Sequence, residues 1–245
     1  MHNRFPAGGA ERVTMDIASY LKDYGGYEVF VYASRISEAQ LNVEMLSNFT
    51  LRKIPTQFIS HSRTKQIERY ILEDEIDILV QLGKAIPGIK KIKERTGVKT
   101  IVACHGEPFW QRHAIAHRRQ KGFFRKLMWH LFNKRRFEDG TLALRMAISR
   151  TRRDYETSDA YTVLCRSYIQ ETLSVLGIDE ASSHIYAIEN SERPVAEVNY
   201  NKENIILFVG RFENWSKRID RLLRIWHSVQ DRMSEWKLVL VGDGT

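Results

Sequence analysis

NIILFVGRFENWSKRIDRLL, residues 204–223, passes from an unbroken apolar run into a Gly-Arg pair, a polar loop and the start of an amphipathic helix. A run without polar alternation suits a strand buried on both faces, as in a parallel sheet covered by helices. The helical pattern continues over 219–233, with Leu222, Leu223, Trp226 and Val229 on one stripe. The same alternation fills the rest of the chain. Apolar runs rich in β-branched residues stand at EVFVYAS (28–34), FTLRKIP (49–55), IDILVQLG (76–83), KTIVACHG (99–106), AYTVLC (160–165), HIYAIEN (184–190) and WKLVLVG (236–242). Helical patterns separate them, for example 10–24, where Val13, Ile17, Ala18 and Leu21 share a face. Strand and helix repeated in this way predict a doubly wound α/β fold.

Residues 191–203, SERPVAEVNYNKE, are polar and contain a proline, and they separate two sets of strand patterns. The expected division is an N-terminal Rossmann-like domain over 1–190, a linker over 191–203, and the opening of a second Rossmann-like domain over 204–245. A single β-α-β unit leaves a sheet edge and face uncovered, so the second piece reads as cut short at its C-terminus. Only MHNRFPA precedes the first glycines, where a doubly wound domain normally has a strand, so the N-terminus also reads as shortened.

At 245 residues and 43% hydrophobic, the chain can bury a substantial core. Its two cysteines, Cys104 and Cys165, both lie in apolar runs, which points to buried thiols in a reducing compartment and a cytoplasmic chain. No apolar stretch approaches the roughly 20 residues needed to span a bilayer, and the N-terminus lacks the apolar core of a signal peptide. The net charge of +8 favours an anionic partner: nucleic acid, an anionic membrane or a phosphorylated small molecule. Nine Lys or Arg residues and no Asp or Glu fall between Gln111 and Phe137.

Three strand exits carry candidate chemistry. Gly8-Gly9 stands just before the first helical pattern, where bare backbone and free helix N–H groups can receive an anion, or where a plain turn needs glycine for positive φ. Gly210-Arg211 ends the 204–210 run, with Lys217 a few residues on. Arg supplies a planar fork and Lys a point charge, which together suit a diphosphate, although an isolated pair of this kind is more often solvated. WKLVLVGDG (236–244) ends in glycines again, at Gly242 and Gly244, as a tight turn after a strand.

In this order the three pieces resemble the GT-B glycosyltransferases of family 4, retaining enzymes that use nucleotide-sugar donors. The matches are Gly8 to Arg12, Val209 to Arg211 with Lys217 and Asp220 to Leu223, and Leu238 to Gly244. The middle of the chain is matched by pattern only. The resemblance implies a GT-B fold and transfer of a sugar from a nucleotide-diphosphate sugar to a glycan or lipid-linked acceptor hydroxyl, with retention. It also implies work in cell-surface polysaccharide or glycolipid synthesis. Arg211 and Lys217 match the basic pair that holds the diphosphate and meets the charge on the leaving group, so no metal or other cofactor is expected. Gly8, Gly9, Gly210 and Gly242 fall at donor-side positions. His105 resembles the cleft-facing histidine that follows the central strand; a lone histidine there is as often a satisfied polar residue. Glu11 and Glu107 are acceptor-side candidates. Asn190 stands where the family has an Asn-Gly turn, here without the glycine. The family's Glu-x7-Glu element has no counterpart before Thr245, which predicts that a chain of this extent is catalytically incompetent by itself.

In KGFFRKLMWHLFNKRRF (121–137), Phe124, Leu127, Met128, Leu131 and Phe132 form a helical stripe flanked by Arg125, Lys126, Lys134, Arg135 and Arg136. Such a helix either lies on an anionic membrane surface at the inner face of the cell membrane or packs its stripe into a core. No nucleic-acid motif accompanies it, so nucleic acid is not expected as a partner. The scattered histidines show no zinc-ligand spacing. Two rival functions remain: a non-catalytic GT-B module that docks on membrane or partner, and a nucleotide-sugar epimerase of the same fold.

Overall fold

The structure, a computed structural model, describes residues 1–6, 8–38, 41, 46–55, 60–83, 85–109, 123, 127, 141–190, 197, 199–214 and 217–244; for 3, 4, 60, 61 and 141–143 it describes the backbone only. The chain divides into two compact units, Met1–Trp110 with Arg145–Arg193, and Gln111–Leu144 with Pro194–Thr245.

In the first unit β1 (His2–Phe5), β2 (Phe30–Ile36) and β3 (Thr50–Lys53) form one parallel sheet in the order β1-β2-β3. Four further strands, β4 (Ile78–Leu82), β5 (Lys99–Ala103), β6 (Ala160–Val163) and β7 (Ile185–Ala187), form a second parallel sheet in sequence order. The Met1 amine, one residue before β1, donates to the Val80 carbonyl of β4 at 3.4 Å. Both sheets are parallel throughout, as in an α/β fold whose strands are joined by crossover helices. Helices α1 (Gly9–Gly25), α2 (Ser60–Glu73), α3 (Ile89–Thr96), α4 (Thr141–Thr157) and α5 (Arg166–Leu176) lie along this half.

Alternate residues of β2 show why the sheet is covered twice. Val31 and Ala33 pack with Ala18 of α1, Phe5 and Phe49. Tyr32, pointing the other way, joins Ile67 and Ile71 of α2, Leu79, Val102, Val163 and Leu176 in the larger core. β1 is the strand missing from the sequence reading: it lies within MHNRFPA, and its polar His2, Asn3 and Arg4 gave no apolar run.

The amino ends of β5 and β6 are tied by Asp159. Its Oδ2 accepts from Lys93 Nζ at 2.8 Å and from Thr100 N and Oγ1 at 2.7 and 3.1 Å. Burial works against the carboxylate, but the Lys93 and Thr100 bonds outweigh it and hold its pKa below the usual value. A depressed pKa stabilises the fold above the unfolded pKa of about 4, and that contribution is lost as pH falls through the lower folded value. Asp159→Asn is therefore expected to lower the urea midpoint at neutral pH, with the gap from wild type closing in acid; an equal gap at all pH values would contradict the assignment.

In the second unit β8 (Ile205–Val209) pairs in parallel with β9 (Lys237–Val241), joined through α6 (Ile219–Val229). The strands and helix stand where the sequence pattern puts them. Burial on both faces does not follow: Leu207 is 59% and Val209 68% exposed, because one helix covers at most one face of a two-stranded sheet. Among the described residues no helix is long and apolar enough to cross a membrane.

Candidate functional site

In open α/β sheets ligands settle outside the carboxyl ends of the strands, at the point where strand order reverses. Gly8 follows the carboxyl end of β1. It is the N-cap of α1 with φ −175°, an extended conformation open to any residue, so positive φ is not what selects glycine here. Space is the better reason. A side chain on Gly8 would meet Glu11 Oε2 at 3.3 Å, whereas at Gly9 nothing lies within 4 Å. Arg12 N makes the first helical bond, to Gly8 O, and the earlier N–H groups of the turn have no partner within the helix.

Glu11, in the first turn of α1, faces inward. Its Oε1 accepts from His2 Nδ1 at 3.2 Å, and His2 Nε2 lies 2.9 Å from the Thr14 hydroxyl, which is also 3.1 Å from Ala10 O. Burial, with the Met1 amine and His105 adding to it, pushes the His2 pKa down to about 3, so the ring is neutral at physiological pH. His2 and Thr14 are site neighbours that sequence reading passed over, since neither carries a local motif.

His105 lies two residues beyond β5 and Asn190 three beyond β7, with β6 between those strands. His105 Nδ1 donates to Asn190 Oδ1 at 3.1 Å, across 85 residues of sequence. His105 Nε2 is buried and, among the described residues, has no hydrogen-bond partner. Glu107 is exposed in the turn after β5. Its charge, with those of Cys165, Glu171 and Cys104, adds to the burial that raises the Tyr168 pKa, which groups these side chains around the start of α5. Tyr168 and Glu171 were also invisible as site residues in sequence. Cys104 and Cys165 are free and only partly buried.

In the second unit Gly210 and Arg211 follow β8, Lys217 precedes α6, and Gly242 follows β9. Arg211 leaves the carboxyl end of β8 with its side chain 70% exposed and its guanidinium 3.8 Å from Glu213. Lys217 is exposed just before α6, its backbone N bonded to Glu213 O at 3.1 Å. Among the described residues its ammonium has no hydrogen-bond or ion-pair partner. Arg218 forks onto both oxygens of Asp220 at 3.1 and 3.0 Å, so the neighbouring cation is already neutralised while Lys217 is not. Gly242 and Gly244 do not make the expected tight turn. Residues 242–244 continue beside 210–212, with Gly210 N bonded to Val241 O and Phe212 N to Asp243 O. A Cβ on Gly242 would fall 1.9 Å from Gly210 O, and one on Gly244 2.5 Å from Phe212 O, which is why both are glycines.

Arg125, Lys126, Lys134, Arg135 and Arg136 lie outside the described residues. Of the 121–137 segment Phe123 and Leu127 are described, and both are exposed. Among the described residues no three His, Cys, Asp or Glu side chains gather as a metal site.

Residues 7–191 match the family model described as Glycosyltransferase Family 4. A crystal structure of a glycosyltransferase from Rickettsia africae ESF-5 aligns at 14% identity with a TM-score of 0.56, over 99% of this chain and 67% of that one. A mutant of S. aureus TarM, in complex with Fondaparinux, alpha-GlcNAc-glycerol and UDP, aligns at 16% identity with a TM-score of 0.44, over 75% of this chain and 32% of that one. The chain thus spans about a third of the TarM length and two thirds of the Rickettsia protein. No curated protein matches it. The likeness to the Rickettsia structure bears on the fold alone, and it agrees with the parallel α/β architecture of the GT-B type.

Proposed function

The chain belongs to glycosyltransferase family 4, and on that premise we propose that it serves transfer of a sugar from a nucleotide-diphosphate sugar to an acceptor hydroxyl, with retention. The bond from the anomeric carbon to the diphosphate breaks, a bond to the acceptor oxygen forms, and the nucleoside diphosphate departs as the acceptor loses its proton. One observation carries the reading: Arg211 follows β8 and Lys217 precedes α6, each within reach of Glu213, and the Lys217 ammonium is without a partner among the described residues. Cations so placed meet the negative charge that grows on a departing diphosphate, and they do so without reorganising. In this reading they take the part a metal ion plays elsewhere. By the family resemblance Gly8 and Gly9 are taken as donor-side positions, Glu11 and Glu107 as acceptor-side candidates, and the acceptor as a glycan or lipid-linked glycan at the cytoplasmic membrane face. The basic residues of 121–137 would hold the protein to anionic lipid there.

The test is incubation of the native polypeptide, isolated from its source, with nucleotide-diphosphate sugars and lipid-linked or soluble glycan acceptors. Acceptor-dependent release of nucleoside diphosphate, retained anomeric configuration and indifference to a chelator are the expected results. Conversion of the donor to an isomeric sugar without acceptor would assign epimerisation instead.

A further inference from the structure

We infer that Asn190 is a positioning residue that fixes His105 in the tautomer with its proton on Nδ1, so that Nε2 is presented as an acceptor to a ligand hydroxyl. The identity of the ligand as a sugar rests on the proposed function; the tautomer does not.

Three observations lead there. First, His105 Nδ1 and Asn190 Oδ1 are 3.1 Å apart. An amide oxygen only accepts, so the proton between them sits on Nδ1, and a neutral ring then carries its lone pair on Nε2. Second, that Nε2 is buried and among the described residues meets no hydrogen-bond partner. Buried polar atoms are paired in the large majority of cases, so an orphan one on a ring whose other nitrogen is fixed points to a partner that arrives with the ligand. Third, His2, whose charge state His105 influences, has both ring nitrogens already placed against Glu11 and Thr14.

The geometry of the sheet makes the arrangement possible. β5 and β7 flank β6, so residues just past their carboxyl ends can reach each other over the end of β6. An Asn-Gly turn is not required for this: Asn190 acts through its side-chain oxygen. A free histidine side chain favours the opposite tautomer, with the proton on Nε2. Without Asn190 the ring would therefore present a donor where an acceptor is needed, the kind of tautomer error that second-sphere partners of histidine prevent.

The test is two-bond 1H–15N correlation of the native polypeptide labelled at histidine, recorded where imidazole is neutral, with His105 assigned by its loss in His105→Gln. Wild type is expected to show a protonated Nδ1 and a bare Nε2. Asn190→Asp keeps an accepting oxygen and should keep that pattern. Asn190→Leu should shift most of the population to the proton-on-Nε2 form, and unchanged signals from the other histidines show that the variant is folded. A proton on Nε2 in wild type, or an unchanged tautomer in Asn190→Leu, overturns the inference. In the transfer assay Asn190→Leu should lose about tenfold in kcat/KM, the order expected for one hydrogen bond to the ligand, while Asn190→Asp stays close to wild type. A tautomer switch with no kinetic change would strike the ligand clause. Absence of any transfer by wild type would strike the proposed function and leave the tautomer result standing.

Discussion

Lys217→Ala in the native polypeptide is expected to lower kcat/KM by about 10²–10³-fold, the magnitude found when one preorganised donor to a developing oxyanion is removed. The loss should appear in kcat as well as kcat/KM, because charge on the departing diphosphate is largest in the transition state and an interaction confined to that state lowers both together. The fold should hardly notice. Lys217 is exposed and its ammonium bonds to no described residue, so the substitution falls among surface changes worth within about 0.5 kcal/mol, and the unfolding midpoint should not move. This separation of activity from stability makes the experiment informative. Arg211 adds a second arm. Arg211→Lys keeps the charge but loses the planar fork, so it should retain part of the activity that Arg211→Ala loses. Near-normal turnover in Lys217→Ala would remove the diphosphate cradle from the account and leave Lys217 as a solvated loop cation.

The architecture was legible because apolar runs rich in β-branched residues mark strands in a sequence, and all eight runs read as strands became β2 to β9, even where, as in β8, one face stays exposed. β1 escaped because its register against β2 is held by backbone pairing and by a single large side chain, Phe5, among polar neighbours. Among the candidate site residues the glycines were readable by position: Gly8, Gly9, Gly210 and Gly242 all fall at strand exits. Their reasons were less so. Gly242 was read as a turn glycine, yet what demands it is the carbonyl of Gly210, a neighbour brought close by strand pairing across 32 residues. The Asn190–His105 and His2–Glu11 pairs depend in the same way on chain order in the sheet, and periodicity carries no trace of which side chains will meet beyond strand ends.

Phe5→Ala should carry the largest stability cost in the first unit, about 3–5 kcal/mol, as for other buried aromatics cut to alanine. Phe5 is fully buried and meets Phe49 edge to face, with ring centroids 5.5 Å apart. Its carbonyl also accepts from Ser37 N at 2.9 Å, which holds the end of β1 to the end of β2. The cluster around it is small: Ala18, Val31, Ala33 and Phe49 are its other buried members, so few side chains could move in to fill the hole. Ala18 is also the one fully buried described residue of α1, and α1 carries Gly8 at its N-cap and Glu11 in its first turn. Loss of Phe5 therefore loosens the element that sets the glycine loop, and activity should fall at temperatures where most of the chain is still folded. Phe5→Leu, which preserves most of the volume, should cost less than about 1.5 kcal/mol and spare activity. Urea unfolding followed by hydrogen exchange at the amides of β1, β2 and α1 reads the effect where it is expected. A cost under about 1 kcal/mol for the alanine variant would show that these amides are protected by the larger core, and that α1 takes its place from β2 and not from β1.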